Sequence, residues 1–127
     1  MYQKLSVFQT AAAMAKHAGA RQAVVAQNVA NADTPGYRAR TIPPFMQVFD
    51  QTGSAGMRTS RAGHIGVAPA GSSKLQSVIS NAEPSPNGNS VSIEEEMLKS
   101  VAVSREHSKS LAIYRHAMTV LRTSLGR

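Results

Sequence analysis

All six prolines of this chain lie between positions 35 and 88, with seven of its nine glycines, so a long helix has room only in the two terminal segments. Residues 3 to 31 contain no proline and a single glycine, Gly19, which permits one continuous helix. Its end is marked by the run Asn28-Val29-Ala30-Asn31-Ala32-Asp33-Thr34-Pro35-Gly36-Tyr37. Pro35 disfavours the helical region at Thr34, and Pro35-Gly36 suits the second and third positions of a type II turn over Thr34 to Tyr37. Asn28 and Asn31, three apart, project from one side of the last helical turn. Asparagine competes for backbone hydrogen bonds and is a poor helix-interior residue. These two therefore serve either to cap loose carbonyls locally or to bond another segment or subunit.

In the first segment Leu5, Phe8, Ala12, Ala15, Gly19, Gln22, Ala26 and Val29 alternate by three and four, the seam of a coiled coil, widened by Val7, Ala11, Met14, Ala18 and Val25. Small residues occupy much of that seam, so a partner backbone can come close while each contact buries little area. The last segment opens with Ser92-Ile93-Glu94-Glu95, a capping box, and Glu94, Glu95 and Glu96 suit the positive end of the helix dipole. Met97, Ser104, Leu111, Met118 and Leu125 then recur every seven residues, reinforced by Val101, Tyr114 and Leu121, until Gly126 ends the pattern. Basic Arg115, Arg122 and Arg127 suit the negative end.

The spacing predicts a mainly α protein in three zones: an N-terminal coiled-coil helix over 1–32, an extended linker or outer segment over 33–91, and a C-terminal coiled-coil helix over 92–127. Antiparallel pairing of the two helices would bring the chain's two ends together in one domain. The Gly/Pro-rich middle includes Gln51 to Gly56 and Pro84 to Asn89 and cannot form a core alone. Its apolar runs, Ile42 to Phe49 and Leu75 to Ile79, each suit a short β-strand or a turn of helix.

With three Phe, no Trp and much alanine, the chain has thin filling for a private core, so its stability is expected to depend on neighbours. The absence of cysteine excludes disulfides and thiolate metal sites. No stretch approaches the length of a membrane span, and polar Gln3, Ser6, Gln9 and Thr10 break up any signal-peptide core, so export would need a dedicated machine. The net charge of +7 comes from basic residues scattered singly, without a run of three and without interleaved aromatics. That pattern argues against nucleic acid and for acidic partner subunits. His17, His64, His107 and His116 are too far apart in sequence for a local metal pair, the serines lack a nucleophile elbow, and Asp33 and Asp50 lack an acid-base partner. No catalytic, metal or cofactor site is expected.

Asn28 to Arg40 resembles the N-terminal signature of the bacterial flagellar rod, hook and hook-filament junction proteins. Among these, the proximal rod members are similar in short length, in Arg58 to Ile65, in Asn87-Gly88-Asn89-Ser90-Val91 leading into Glu94-Glu95-Glu96-Met97, and in the ending Tyr114 to Arg127. The chain departs from the common pattern at Thr41-Ile42-Pro43-Pro44-Phe45, whose prolines remove backbone donors. The resemblance implies a noncatalytic axial subunit of the basal-body drive shaft, exported by the flagellar type III gate without a cleaved signal and stacked helically in the periplasmic rod. It implies contacts with other copies, other rod proteins, the adaptor protein FliE and the membrane ring. The motif residues are Asn28, Val29, Asn31, Asp33, Thr34, Pro35, Gly36 and Tyr37. The expected coiled-coil contacts, within or between subunits, are Leu5, Phe8, Val25, Val29, Leu111, Tyr114, Met118, Leu121 and Leu125. The competing reading is a soluble helical-hairpin adaptor or export chaperone.

Overall fold

In the computed structural model, which describes the backbone of residues 2–52 and 75–126 and the side chains of 6–49 and 75–126, two long helices dominate. Helix α1 runs Tyr2–Ala30 and helix α3 runs Ile93–Ser124. They lie side by side and antiparallel. Near one end Phe8 meets Tyr114 edge-on at 5.1 Å, midway Arg21 Nη1 bonds Glu106 Oε2 at 2.7 Å, and near the other end Asn28 Nδ2 bonds Glu96 Oε2 at 3.1 Å.

The ends of the helices follow their cap residues. Ser92 is extended and its hydroxyl accepts from the Glu95 amide, while Gly126, at φ +73°, turns the chain out of α3 by donating to the Thr123 carbonyl. At the close of α1, Gly36 also has φ +73° and Tyr37 N–H donates to the Thr34 carbonyl, which completes the type II turn that Pro35-Gly36 suits. Between the helices, strand β1 (Arg40–Thr41) pairs antiparallel with β2 (Val78–Ile79), in the register Arg40 to Ile79 and Thr41 to Val78. Helix α2 (Phe45–Thr52) follows Pro44, whose carbonyl accepts from Gln47 and Val48. The run Ile42 to Phe49 is thus mostly helix, and part of Leu75 to Ile79 is strand. The stretches Gly53 to Gly56 and Arg58 to Ile65 lie outside the described residues.

The line of contact inside the pair runs one residue before the expected seams. On α1 Ala11, Ala18, Val25 and Asn28 are buried along one line with half-buried Met14 and Arg21, while buried His17 points toward α2; on α3 Glu96, Val103 and Ser110 are buried along one line with half-buried Lys99, Glu106, Ile113 and Ala117. Val7, on the same α1 line, is exposed. Both enclosed lines alternate by three and four; the α1 line follows the residues that widen its expected seam, Ala11, Met14, Ala18 and Val25, whereas the α3 line mixes valine and alanine with charged and polar residues, which hides it from a hydrophobic count. No helix of the described residues is long and apolar enough to cross a membrane.

His17 is 2% exposed, packed edge-on to Phe45 of α2 at 5.6 Å. Neither ring nitrogen has a hydrogen-bond partner. Burial, reinforced by the Arg21 charge, pulls the imidazole below its ordinary value, while the Glu106 charge opposes that shift. The folded chain therefore holds a neutral ring, whereas an unfolded chain takes up its proton near pH ~6.5. The contribution of His17 to stability is complete above that pH and is lost as the pH falls below it. Acid titration of purified basal bodies containing this protein should release it increasingly as the pH drops through that range, and His17→Leu should flatten the release curve.

Candidate functional site

The end of α1 is held by a polar junction in which Asn28 is the hub. Its side chain is wholly buried at 0% exposure. The amide nitrogen donates to the Arg40 carbonyl at 2.7 Å and to Glu96 Oε2 at 3.1 Å, and the amide oxygen accepts from Arg40 N–H at 3.0 Å and Tyr37 OH at 3.3 Å. One side chain therefore ties together the last turn of α1, the strand leaving it and the first turns of α3. Glu96, 1% exposed, also accepts from Lys99 Nζ at 2.7 Å. A buried carboxylate is costly unless so paired. Glu94 and Glu95 remain exposed at the helix N-terminus, so of the three expected dipole partners Glu96 is the one turned inward.

Asn31 behaves differently. Its amide donates back to the Gln27 carbonyl at 2.8 Å, a local bond, and its oxygen accepts from Thr34 Oγ1 at 3.3 Å. Of the two asparagines, one reaches across to α3 and the other finishes its own helix.

The carbonyls left open at the end of α1 are gathered by a third asparagine. Asn89 Nδ2 donates to the carbonyls of Asn31 at 3.0 Å, Ala32 at 2.6 Å and Thr34 at 2.9 Å. Its oxygen accepts from Val91 N–H at 2.8 Å, which fixes the approach to α3. Ser90 joins from the same segment, its hydroxyl accepting from Ala39 N–H at 2.9 Å and its amide donating to the Tyr37 carbonyl. The turn at Asn87-Gly88 stacks on the turn at Pro35-Gly36. Gly36 N–H donates to the Asn87 carbonyl, and a Cβ on Gly88 would stand 3.3 Å from the Gly36 Cα. Gly88, at φ +79°, thus meets both a backbone requirement and a close approach.

Among the motif residues, Asn28 is buried, Asn31 and Tyr37 are half-buried, and Val29, Asp33, Thr34, Pro35 and Gly36 are exposed. Among the expected contact residues, Phe8 and Tyr114 meet, Val25 is buried, and Leu111, Met118 and Leu121 are half-buried. Val29 and Leu125 face outward at 43% and 79% exposure, and the side chain of Leu5 lies outside the described residues. Sequence reasoning gives Glu96 only a place at the helix dipole and gives no partners to Asn89, Ser90 or Arg40. The only sequence signal was the Asn-Gly-Asn run at 87–89, whose partners lie more than fifty residues away. Among the described residues no cluster of His, Cys, Asp or Glu is arranged to hold a metal ion.

Asn28→Ala leaves the part-buried Arg40 amide and carbonyl short of partners and removes the buried Asn28 bond to Glu96, at a cost of about 2 kcal/mol. In competition with the wild-type chain for incorporation into basal bodies, that corresponds to roughly thirty-fold weaker uptake. Asn31→Ala should compete almost normally, because its bonds are exposed and local.

Residues 8–38, which contain α1's hub and its closing turn, match the family described as Flagella basal body rod protein. The flagellar basal body rod protein FlgB of Agrobacterium fabrum (strain C58) is 30% identical over 129 aligned positions, covering 94% of this chain and 93% of that protein. The junction contributed by residues 87–96 falls outside the family match but packs directly onto it. On this likeness, the chain belongs to the family of flagellar basal body rod proteins, structural subunits rather than enzymes.

Proposed function

We propose that this rod subunit stands in the proximal, periplasmic part of the shaft, where it stacks helically around the export channel. It would reach that place through the type III gate without a cleaved signal, and bind FliE, the membrane ring and other rod proteins as well as its own copies. One observation carries the assembly part of this reading: large apolar side chains in the first turns of α3 are exposed. Met97, Leu98 and Val101 are 64%, 73% and 52% exposed, while the fully buried set includes Glu96 and Ser110. A chain that encloses polar groups and displays methionine, leucine and valine has its hydrophobic gain still to come, on contact with neighbours.

Coiled-coil contacts involving Leu5, Phe8, Val25, Val29, Leu111, Tyr114, Met118, Leu121 and Leu125 belong to this proposal, some within the chain and others between subunits. The division into two helical ends and an outer middle belongs to it as well. Val29 and Leu125, exposed in the single chain, are assigned to contacts between subunits.

Coupling of folding to assembly sets the test. Circular dichroism of dilute protein should show low helicity that rises when it is incorporated with its rod partners, and a fully helical, cooperatively melting monomer would contradict the reading in favour of a helical-hairpin adaptor. Leu111→Asp should abolish rod formation and motility, since it sets an unpaired charge at the packed edge of α3. Normal motility of that variant would remove Leu111 from the contact set.

A further inference from the structure

The heptad seams legible in the sequence touch each other at Phe8 and Tyr114, and along the rest of the pair they turn toward one place. Each lies one residue beyond the line enclosed between the helices, a rotation of about 100° about the helix axis. Because α1 and α3 run in opposite directions, the same sense of rotation along each chain turns both seams to the same side of the pair. A groove of about 590 Å³ lies there, and its lining includes Gly19, Gln22 and Ala26 of the α1 seam together with Ser104 of the α3 seam. Val103 is part of the lining, and Gln22 Nε2 bonds Ser100 Oγ across the groove at 3.1 Å. The middle is thus shallow and built of small residues, where another backbone can approach closely, while larger apolar groups of the same seams, Met97, Leu111 and Met118, extend it along α3.

From this we infer that the face is the seat of a third helix, supplied by a different basal-body protein, with an apolar stripe and acidic flanks. The inference rests on the chain being a rod subunit. The acidic flanks follow from charge. Helix α1 carries no acidic residue, and exposed Lys16 stands three residues before Gly19. On α3, Arg115 and Arg122 follow Ser104 by eleven and eighteen residues, spacings that return to the same helical face. A second copy, itself at +7, would bring like charge to this rim. Residues 53–74 of the chain itself contain Arg58, Arg61 and Lys74, five glycines and no acid, which suits neither the rim nor an amphipathic helix.

The absence of cysteine makes the test clean. Ala23→Cys places a thiol in the groove, and Ala102→Cys places one at an exposed position of α3 two residues from Ser104, on the other side of the helix. With a thiol-linked photocrosslinker in purified basal bodies, Ala23→Cys should give an adduct to one other protein, at an apolar-striped helix flanked by Asp or Glu. An adduct to a second copy, an adduct within the chain, or equal yield from Ala102→Cys would overturn the inference. A Cβ at Gly19 meets nothing within 4 Å and Gly19 lines the groove, so the side chain of Gly19→Leu starts into the groove without a clash at its base. Its incorporation should fall roughly tenfold with cellular level unchanged, and undiminished incorporation would overturn the inference too. Absence of the wild-type protein from basal bodies would instead refute its placement in the rod, which separates the two failures.

Discussion

The hydrogen bond from Asn28 to the buried carboxylate of Glu96 decides how the two long helices meet. The apolar groups most deeply enclosed in the described residues are Ala11, Ala18, Val25, Ala39, Ile42 and Val103, small side chains that would pack nearly as well in a neighbouring register. Asn28, Glu96 and Arg21 are less forgiving. A slip of one residue turns each helix by about 100° and would leave a buried carboxylate without its donors. Once Asn28 is in place, Arg40 and Tyr37 are held with it, and Asn89 draws the returning chain across the open end of α1.

Polar groups inside leave apolar groups outside. The pair spends its contact line on Arg21, Glu106, Glu96 and Ser110 and displays Met97, Leu98, Val101 and Leu125. For a free-standing domain this is poor economy, but for a rod subunit it separates two tasks. Hydrogen bonds of strict geometry define the shape of one molecule, and less directional hydrophobic contact is kept for joining molecules to one another.

The sequence disclosed what is local. Helix ends followed from Ser92, Pro35, Gly36 and Gly126, whose effects are exerted within a few residues. The run after Ile42 was ambiguous because short apolar segments fit strand and helix alike, and Pro44, able to open a helix, decided for α2. The seams were legible as seams but not as to what they face, since periodicity locates a stripe and says nothing of its partner. Long-range polar pairs stayed hidden for a related reason. Nothing near Asn89 indicates that it will cap a helix ending at Ala30, and nothing in Glu94-Glu95-Glu96 tells which carboxylate turns inward. The burial of His17 against Phe45, twenty-eight residues on, is hidden for the same reason.

A double-mutant cycle on Asn28 and Glu96 tests the central claim most directly. Asn28→Ala, Glu96→Ala and the double variant would each compete with the wild-type chain for incorporation into basal bodies. If this pair sets the register, the two substitutions are coupled by about 1 kcal/mol or more, so that the second costs far less once the first is made. Strict additivity would contradict the account and assign the register to the small apolar side chains instead.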